Sequence, residues 1–311
     1  MSSPTGPASG LPVRMPRPRQ PGRHRRPEPV VAPEGAPALV LAVPGVPSTA
    51  TRGLAEEVIS IARSELPGLD ARIGFLEGTD HEATVSAEYP TLTAVLAHSA
   101  EQRAARYEQA LAAGQEVAEP QGPVAVVVPL LAGPDNAMMR HIRQAVMDSR
   151  AAVELTDVLG PHPLLAEALH VRLSEAGLAR ADRARLFTVA TAADGIILAT
   201  VGGEEAVQAA GITGMLLAAR LAVPVMAAAL DQDGAIAATA EQLRGSGSGQ
   251  LALAPHLIGP EVGDGLLDTA AKEAGCATSE AIGAYPAIGK LALSKYMTAL
   301  GIAPPQPAQT H

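Results

Sequence analysis

Short apolar runs alternate along this chain with longer stretches in which apolar positions recur every three or four residues. The short runs predict strands, and the longer stretches predict amphipathic helices. Strands are predicted at 38–43, 71–76, 124–129, 152–157, 195–201, 223–228, 250–254 and 277–282. Helices are predicted at 53–66, 91–113, 137–149, 163–176, 212–221, 236–244, 265–274 and 287–300. Such alternation implies parallel sheets with helices on both faces.

The second half of this pattern repeats the first. Three pairs of segments match in order: 38–45 with 195–202, 127–135 with 253–261, and 160–163 with 283–286. In the second pair, an apolar run containing a Pro leads to a Gly-Pro-acid turn in both copies. Three matches in the same order predict a duplicated unit of roughly 120–150 residues.

The predicted fold class is therefore α/β, with two duplicated units that each contain a small parallel sheet covered by helices on both faces. The first unit is placed at 37–180 and the second at 181–303. Residues 1–36 are rich in Pro, Gly and Arg without hydrophobic periodicity, so this tail and residues 304–311 are predicted to be disordered. The first unit is the longer one. Its excess near 98–121 predicts a longer helix or a surface excursion.

Composition determines what the core is made of and excludes one class of partner. Hydrophobic residues make up 47% of the chain, but it has no Trp, two Phe and four Tyr, so Ala, Leu, Val and Ile must fill the core. The net charge is −9, and residues 1–36 hold six Arg and two Glu, which leaves about −13 on the remainder. An acidic body with few aromatic rings lacks the surfaces that bind nucleic acid. We expect no nucleic-acid partner.

Cysteine content and hydropathy indicate the compartment. Cys276 is the only cysteine, so no intrachain disulfide can form. No apolar run approaches the roughly 18 residues that a membrane span needs. Residues 1–36 also lack the apolar segment of a signal peptide. We expect a cytoplasmic location, no membrane association and, because the two units are fused in one chain, a monomer.

Parallel sheets bind ligands at the carboxyl ends of their strands, and four motifs at such ends point to one family. They are the strand and turn at 41–45, the Phe-Leu-Glu strand end at 75–77, Val-Pro-Leu-Leu at 128–131 and Gly-Pro-His-Pro at 160–163. In this order they resemble the two-unit sirohydrochlorin chelatases, class II chelatases that insert cobalt or iron into a reduced tetrapyrrole. The resemblance covers residues 37–301. It implies a divalent metal (Co or Fe) and a tetrapyrrole as ligands.

The same resemblance locates the chelating groups, and two of the three are replaced. The family's first strand ends in His-Gly-Ser, where this chain has Pro44 followed by Gly-Val. The family's second histidine, after the third strand, corresponds to Ala137, and the acid four residues later corresponds to His141. The carboxylate at the end of the second strand is retained as Glu77.

These replacements affect the chemistry directly. Cobalt(II) and iron(II) favour imidazole nitrogen, and a lone carboxylate gives a weak, unselective oxygen site. Metal insertion also needs a base that removes protons from the pyrrole nitrogens, which neutral imidazole does well near pH 7. Pro44 and Ala137 can do neither. Either the activity has been lost or other residues have taken over.

Four polar residues near these strand ends are candidates for a replacement metal site: Glu77, His81, Asp135 and His141. They would bind a metal through oxygen and nitrogen atoms if their loops converge. The alternative is that they are solvated loop and helix-start residues, with Asp135 well placed as a helix cap.

Three glycines in strand-end turns, Gly45, Gly133 and Gly202, are the candidate substrate-binding positions. The turn at Gly202 can present backbone N–H groups to a propionate or phosphate. The adjacent acids Glu204 and Glu205 oppose an anion there.

Two other histidines are predicted to be structural. His162 lies in the Gly-Pro-His-Pro turn, and its counterpart in the second unit is Tyr285, which favours packing within the turn. His256 takes the place of Leu130 at a buried strand end. We expect it to be a core histidine with its hydrogen bonds satisfied.

Three functional hypotheses remain open. The first is a chelatase-like protein that binds a tetrapyrrole, a metal or a protein partner without normal catalysis. The second is an active sirohydrochlorin chelatase, a lyase of cobalamin or sirohaem synthesis, with ligands rearranged around Glu77, His81, Asp135 and His141. The third is an unrelated small-molecule-binding protein or enzyme on the same scaffold.

Overall fold

The computed structural model describes residues 31–79, 88–179, 192–259, 261–263 and 265–302, which form two four-stranded parallel sheets. The strands are β1 (Ala38–Val43), β2 (Ala71–Phe75), β3 (Ala125–Pro129), β4 (Val153–Leu155), β5 (Gly195–Thr200), β6 (Val225–Ala229), β7 (Leu251–Pro255) and β8 (Ala277–Thr278). The orders are β2-β1-β3-β4 and β6-β5-β7-β8. The registers correspond as well, since Pro129 pairs with Ala42 and Pro255 pairs with Ala199. The predicted α/β class is confirmed.

Helices cover both faces of each sheet. They are α1 (Thr49–Glu65), α2 (Leu92–Ala112), α3 (Asn136–Ser149), α4 (Pro163–Glu175), α5 (Gly203–Leu221), α6 (Ala235–Gly245), α7 (Leu266–Ala274) and α8 (Pro286–Ala299). α2 and α3 cover the outer face of the first sheet, and α6 and α7 cover the outer face of the second. α1, α4, α5 and α8 lie between the sheets, with α1 packed on α8 and α4 on α5.

A single apolar core passes through this middle layer from one unit to the other. Close approach depends on small residues: a Cβ built on Gly289 of α8 would lie 2.5 Å from the Cβ of Ile61 in α1. Tyr296 and Phe75 are the largest fully buried side chains of the described residues, and the Tyr296 hydroxyl donates to the Pro37 carbonyl at 2.7 Å. The two units therefore share packing, and neither sheet has a free inner face.

Several predicted boundaries are wrong, among them the start of α1, which begins at Thr49 and not at residue 53, the start of α5 and the end of β8. α5 begins at Gly203, well before residue 212, because Gly202 turns the chain with a φ of 112° and Glu204 and Glu205 lie in the first helical turn. The helix dipole favours acids in that turn. β8 ends at Thr278, short of residue 282, because it pairs with β7 over two residues at the sheet edge. Beyond it, the Ile282 N–H donates to the Leu257 carbonyl at 2.9 Å, outside the ladder.

The extra length of the first unit extends a helix, as expected. α2 has 21 residues and its counterpart α6 has 11, and residues 113–124 form no strand. The predicted disordered tails fall largely on residues 1–30 and 304–311, outside the described residues. Residues 31–36 lie against the first unit, where the Ala32 N–H donates to the Pro67 carbonyl at 2.9 Å. Within the described ranges, each helix is too short or too polar to cross a membrane.

Candidate functional site

The predicted site lies at the carboxyl edge of the first sheet, where β1, β2 and β3 end side by side. Hydrogen bonds continue past the strand ends: the Leu76 N–H donates to the Val43 carbonyl at 3.0 Å, and the Leu130 N–H donates to the Ala42 carbonyl at 2.9 Å. Pro44 is buried directly after β1. The position that corresponds to the family's first imidazole therefore holds an apolar ring without a ligating atom.

Glu77 follows β2 at this edge. It is exposed, and its carboxylate has no hydrogen bond or ion pair with another described residue. Its counterpart in the second unit is Asp231, because each acid lies two residues beyond the last strand residue that pairs with β1 or β5. Asp231 accepts a hydrogen bond from the Gly202 N–H at 3.1 Å. Sequence reasoning missed Asp231, although alignment of the two repeats could have found it.

The start of α3 holds two of the other candidates. Asp135 is the N-cap of α3 and accepts a hydrogen bond from the Met138 N–H at 2.9 Å, which confirms its predicted capping role. Ala137 and His141 are both exposed on α3. Because they are one helical turn apart, His141 stands about 6 Å further along the helix than Ala137. The imidazole at 141 therefore does not occupy the position that Ala137 leaves without a ligand.

No group of three or more His, Cys, Asp or Glu side chains in the described part of the chain is arranged to hold a metal ion. Glu77, Asp135 and His141 therefore do not form such a group among themselves. The fourth candidate, His81, lies outside the described residues. The replacement metal site stays a prediction that depends on His81.

Two of the three candidate glycines lie where the units touch. A Cβ built on Gly133 would lie 3.6 Å from the Cε1 of His256, and one built on Gly202 would lie 2.6 Å from the Pro134 carbonyl oxygen. A hydrogen bond of 2.9 Å from the Asn136 amide to Glu205 joins the first turns of α3 and α5, which follow these loops. Gly45, by contrast, follows β1 and has a φ of 79°. The backbone at Gly202 is thus closely approached by another segment of the protein.

His256 is 1% exposed, and neither ring nitrogen has a hydrogen-bond partner among the described residues. The prediction that its hydrogen bonds are satisfied is wrong: the ring takes the place of an apolar side chain, Leu130, in the first unit, and it finds no hydrogen-bond partner there. Burial lowers the pKa of His256 to about 4. His162, in contrast, is structural as predicted: its Nδ1 accepts a hydrogen bond from the Leu164 N–H at 3.1 Å and caps α4.

Glu261 is the counterpart of Asp135 but folds back on its own loop. Its two carboxylate oxygens accept hydrogen bonds from the Ile258 and Gly259 N–H groups, both at 2.8 Å. Burial raises the pKa of Glu261 to about 7, against the opposing effect of these hydrogen bonds. A Cβ built on Gly259 would lie 2.8 Å from Leu54 in α1, so this loop packs against the first unit.

Comparison with known proteins supports the family resemblance. Residues 79–176 match the CbiX family model. The cobalt complex of the sirohydrochlorin chelatase SirB from Bacillus subtilis subspecies spizizenii is 12% identical over 84% of this chain and 94% of that chain, with a TM-score of 0.52. SirB from Bacillus subtilis with Fe3+ is 14% identical over 85% and 96%, with a TM-score of 0.54.

A multi-domain protein from Deinococcus radiodurans, described as structurally similar to chelatases, is 15% identical over 85% of this chain and 55% of that chain, with a TM-score of 0.51. A search of curated protein sequences finds no significant match. At these identities the solved structures establish the fold. The resemblance predicted from the strand-end motifs is thus confirmed: residues 79–176 match the CbiX family, and the chain has the fold of the sirohydrochlorin chelatases.

Proposed function

We propose that this chain is a chelatase-like protein that binds a reduced tetrapyrrole of the sirohydrochlorin type, or a divalent metal, without inserting the metal at a catalytic rate. The observation that carries the proposal is the replacement of both imidazole positions by Pro44, which is buried, and Ala137, which ends in a methyl group. The fold shared with SirB, whose structures contain cobalt or Fe3+, supports this class of ligand.

The side chains at the carboxyl edge can bind a cation but supply no base at the two imidazole positions. Glu77 offers exposed carboxylate oxygens, which form weak sites for cobalt(II) or iron(II). Asp135 already accepts the Met138 N–H, so a metal ligand there would compete with the cap of α3. Pyrrole protons must then leave to water, which is a poorer base than imidazole near pH 7.

Two optical measurements test the proposal. Sirohydrochlorin added to the full chain should shift the Soret band, which reports binding. Adding Co2+ to the complex should then give metal insertion at the spontaneous rate. No Soret shift would favour an unrelated ligand on this scaffold. Insertion faster than the spontaneous rate would show an active chelatase with substitute ligands.

Restoring the imidazoles gives a second test. Pro44→His combined with Ala137→His should accelerate Co2+ insertion, because ligand and base return to the positions implied by the resemblance. Ala137→His alone should bind Co2+ more tightly and should fold, since residue 137 is exposed. The control places histidines at two exposed α2 positions, Ala104→His with Gln109→His. Equal insertion rates in the two double variants, both folded by circular dichroism, would contradict the proposal.

We propose in addition that the chain acts in the cytoplasm as a monomer. Its one cysteine leaves no intrachain disulfide to maintain. The fused units already bury against each other through α1, α4, α5 and α8. Sedimentation at micromolar concentration should therefore give the mass of one chain.

A further inference from the structure

A cavity of about 350 Å³ lies at the edge of the first sheet where the strands begin, away from the carboxyl edge. Ala38 of β1, Arg72 of β2 and Val124 before β3 line it, together with α2 and the segment that leads from α2 back to the sheet. Its volume falls within the range of about 300–1,000 Å³ that is usual for small-molecule sites. The cavity shares no residue with the carboxyl edge and is independent of the proposed function.

The second unit shows that the fold does not require this cavity. There the Asp194 carboxylate accepts the N–H groups of Gly249 at 3.0 Å and Gln250 at 2.8 Å, which ties the starts of β5 and β7 together. In the first unit, Pro37 holds the position of Asp194, directly before β1. It has no carboxylate to accept such N–H groups. The 21 residues of α2, against 11 in α6, carry the helix past the sheet. The longer α2 and the return segment (residues 113–124) thus form a wall that the second unit lacks.

Arg72 fixes the inner wall. Its guanidinium donates to the Asp70 carboxylate at 3.0 and 2.7 Å, to the Ser99 hydroxyl at 3.1 Å and to the Gln102 side-chain oxygen at 2.6 Å. Burial alone would raise the pKa of Asp70, but the hydrogen bonds and charge of Arg72, with the charges of Arg106 and Arg63, hold that pKa below its ordinary value. Asp70 therefore stays ionised and neutralises Arg72.

Two further guanidinium groups in the lining have no carboxylate within ion-pair distance among the described residues. Arg103 donates to the carbonyls of residues 121, 122 and 123 at 2.7, 3.0 and 2.7 Å, which holds the return segment against α2. The Arg106 guanidinium and the Tyr107 hydroxyl line the cavity and have no hydrogen-bond partner in the described ranges. Glu34 and the carbonyl end of α2, which carries about half a negative charge, do not cancel both arginines. The lining keeps an excess of positive charge.

We propose that this cavity binds a small organic carboxylate, an anion with an apolar body. Arg106 forms charge-assisted hydrogen bonds to the carboxylate, and the Tyr107 hydroxyl donates a further one. The apolar body of the ligand contacts Ala110, Val117 and Pro120, which also line the cavity. A four-ring tetrapyrrole with its acid side chains is too large for this volume. Inorganic phosphate would leave the apolar walls uncovered.

Isothermal titration of the full chain at low salt tests the proposal. The probes are benzoate, 4-hydroxybenzoate, glutarate and inorganic phosphate. An aromatic carboxylate should bind at one site per chain, and more tightly than phosphate. Arg106→Gln should weaken its binding roughly tenfold, and Tyr107→Phe should weaken it roughly threefold. Arg143→Gln removes a charge from an exposed position on α3, outside the cavity, and should leave binding unchanged.

Either of two results overturns the proposal. One is the absence of saturable binding of every carboxylate in the set up to millimolar concentration. The other is equal binding by the Arg106→Gln and Arg143→Gln variants, since adventitious binding to surface charge would respond alike to both. Both arginines are exposed, so both variants should fold, and circular dichroism checks this. Neither result bears on tetrapyrrole binding, which the Soret measurement reports separately.

Discussion

The imidazole of His256 in the second unit lies next to Gly133 in the first, where a methyl group built on Gly133 would be in ordinary van der Waals contact with the ring, 3.6 Å from its Cε1. The ring is buried, and neither of its nitrogens has a hydrogen-bond partner among the described residues. A buried polar group without a partner loses its hydrogen bonds to water on folding, and no hydrogen bond within the protein replaces them. The contact between the units therefore contains two buried polar atoms whose desolvation is not offset by hydrogen bonds.

Replacing this ring by its counterpart residue should stabilise the fold. We expect His256→Leu to raise the free energy of unfolding by about 1–3 kcal/mol at pH 8, because two unsatisfied nitrogens are removed. The gain should grow by about 2 kcal/mol at pH 5. The pKa of His256 falls from 6.5 to about 4 on folding, so its unfolded form takes up a proton that the folded form does not. The wild type thus loses stability as the pH falls from 6.5 towards 4.

Urea unfolding at pH 8 and pH 5 measures both effects. The control is His141→Leu on the exposed surface of α3, which should change the free energy of unfolding by less than about 0.5 kcal/mol at pH 8. A His256→Leu variant less stable than the wild type at both pH values would mean that the ring has a partner that this arrangement does not provide.

Two adjacent glycines at the start of α5 allow the cost of backbone strain to be compared with the cost of a clash between the two units. Gly202 and Gly203 both have positive φ, 112° and 75°, but only a Cβ on Gly202 meets other atoms within 4 Å: the Pro134 carbonyl oxygen at 2.6 Å, and Ala206 Cβ and Asp135 Cα both at 3.1 Å. We expect Gly203→Ala to cost about 1 kcal/mol of unfolding free energy, and Gly202→Ala to cost about 3 kcal/mol or more. Thermal and urea unfolding of the two variants measure the difference. Equal losses would show that the units can move apart there without cost.

The order of elements and the position of the candidate site were accessible from the sequence because both depend on local pattern. Apolar runs fix the strands, and the Gly-Pro-acid turns mark where β3 and β7 end. Asp135 could be assigned as a cap because capping involves residues three positions apart. The unpartnered ring of His256 and the cavity beside Arg106 could not be predicted. Each depends on contacts between segments that are far apart in the sequence. The hydrophobic periodicity of a segment does not show which other segment it will contact.

Glu261 should make stability fall as the solution becomes more alkaline. Burial raises its pKa from 4.5 to about 7, so its contribution is fully present below pH 4.5 and is lost as the pH rises through 7. The shift corresponds to about 3 kcal/mol between pH 4.5 and pH 8. Glu261→Gln cannot titrate, so the wild type should lose about 3 kcal/mol of stability relative to the variant over this range. Urea unfolding at several pH values measures it. A constant difference would mean that the carboxylate is already ionised at pH 5.

Cobalt titration distinguishes a single retained carboxylate from a rebuilt metal site. If Glu77 is the principal metal-binding group left at the carboxyl edge, Glu77→Gln should weaken Co2+ binding about tenfold, the loss of one contact worth about 1.4 kcal/mol. His141→Ala should then have no effect, because His141 stands one turn away from the position of Ala137. Calorimetry and the visible absorption of bound Co2+ report affinity and ligand type. Losses of similar size in Glu77→Gln, His81→Ala and His141→Ala would instead establish a replacement site built from these residues, and would make a catalytically active chelatase the better explanation.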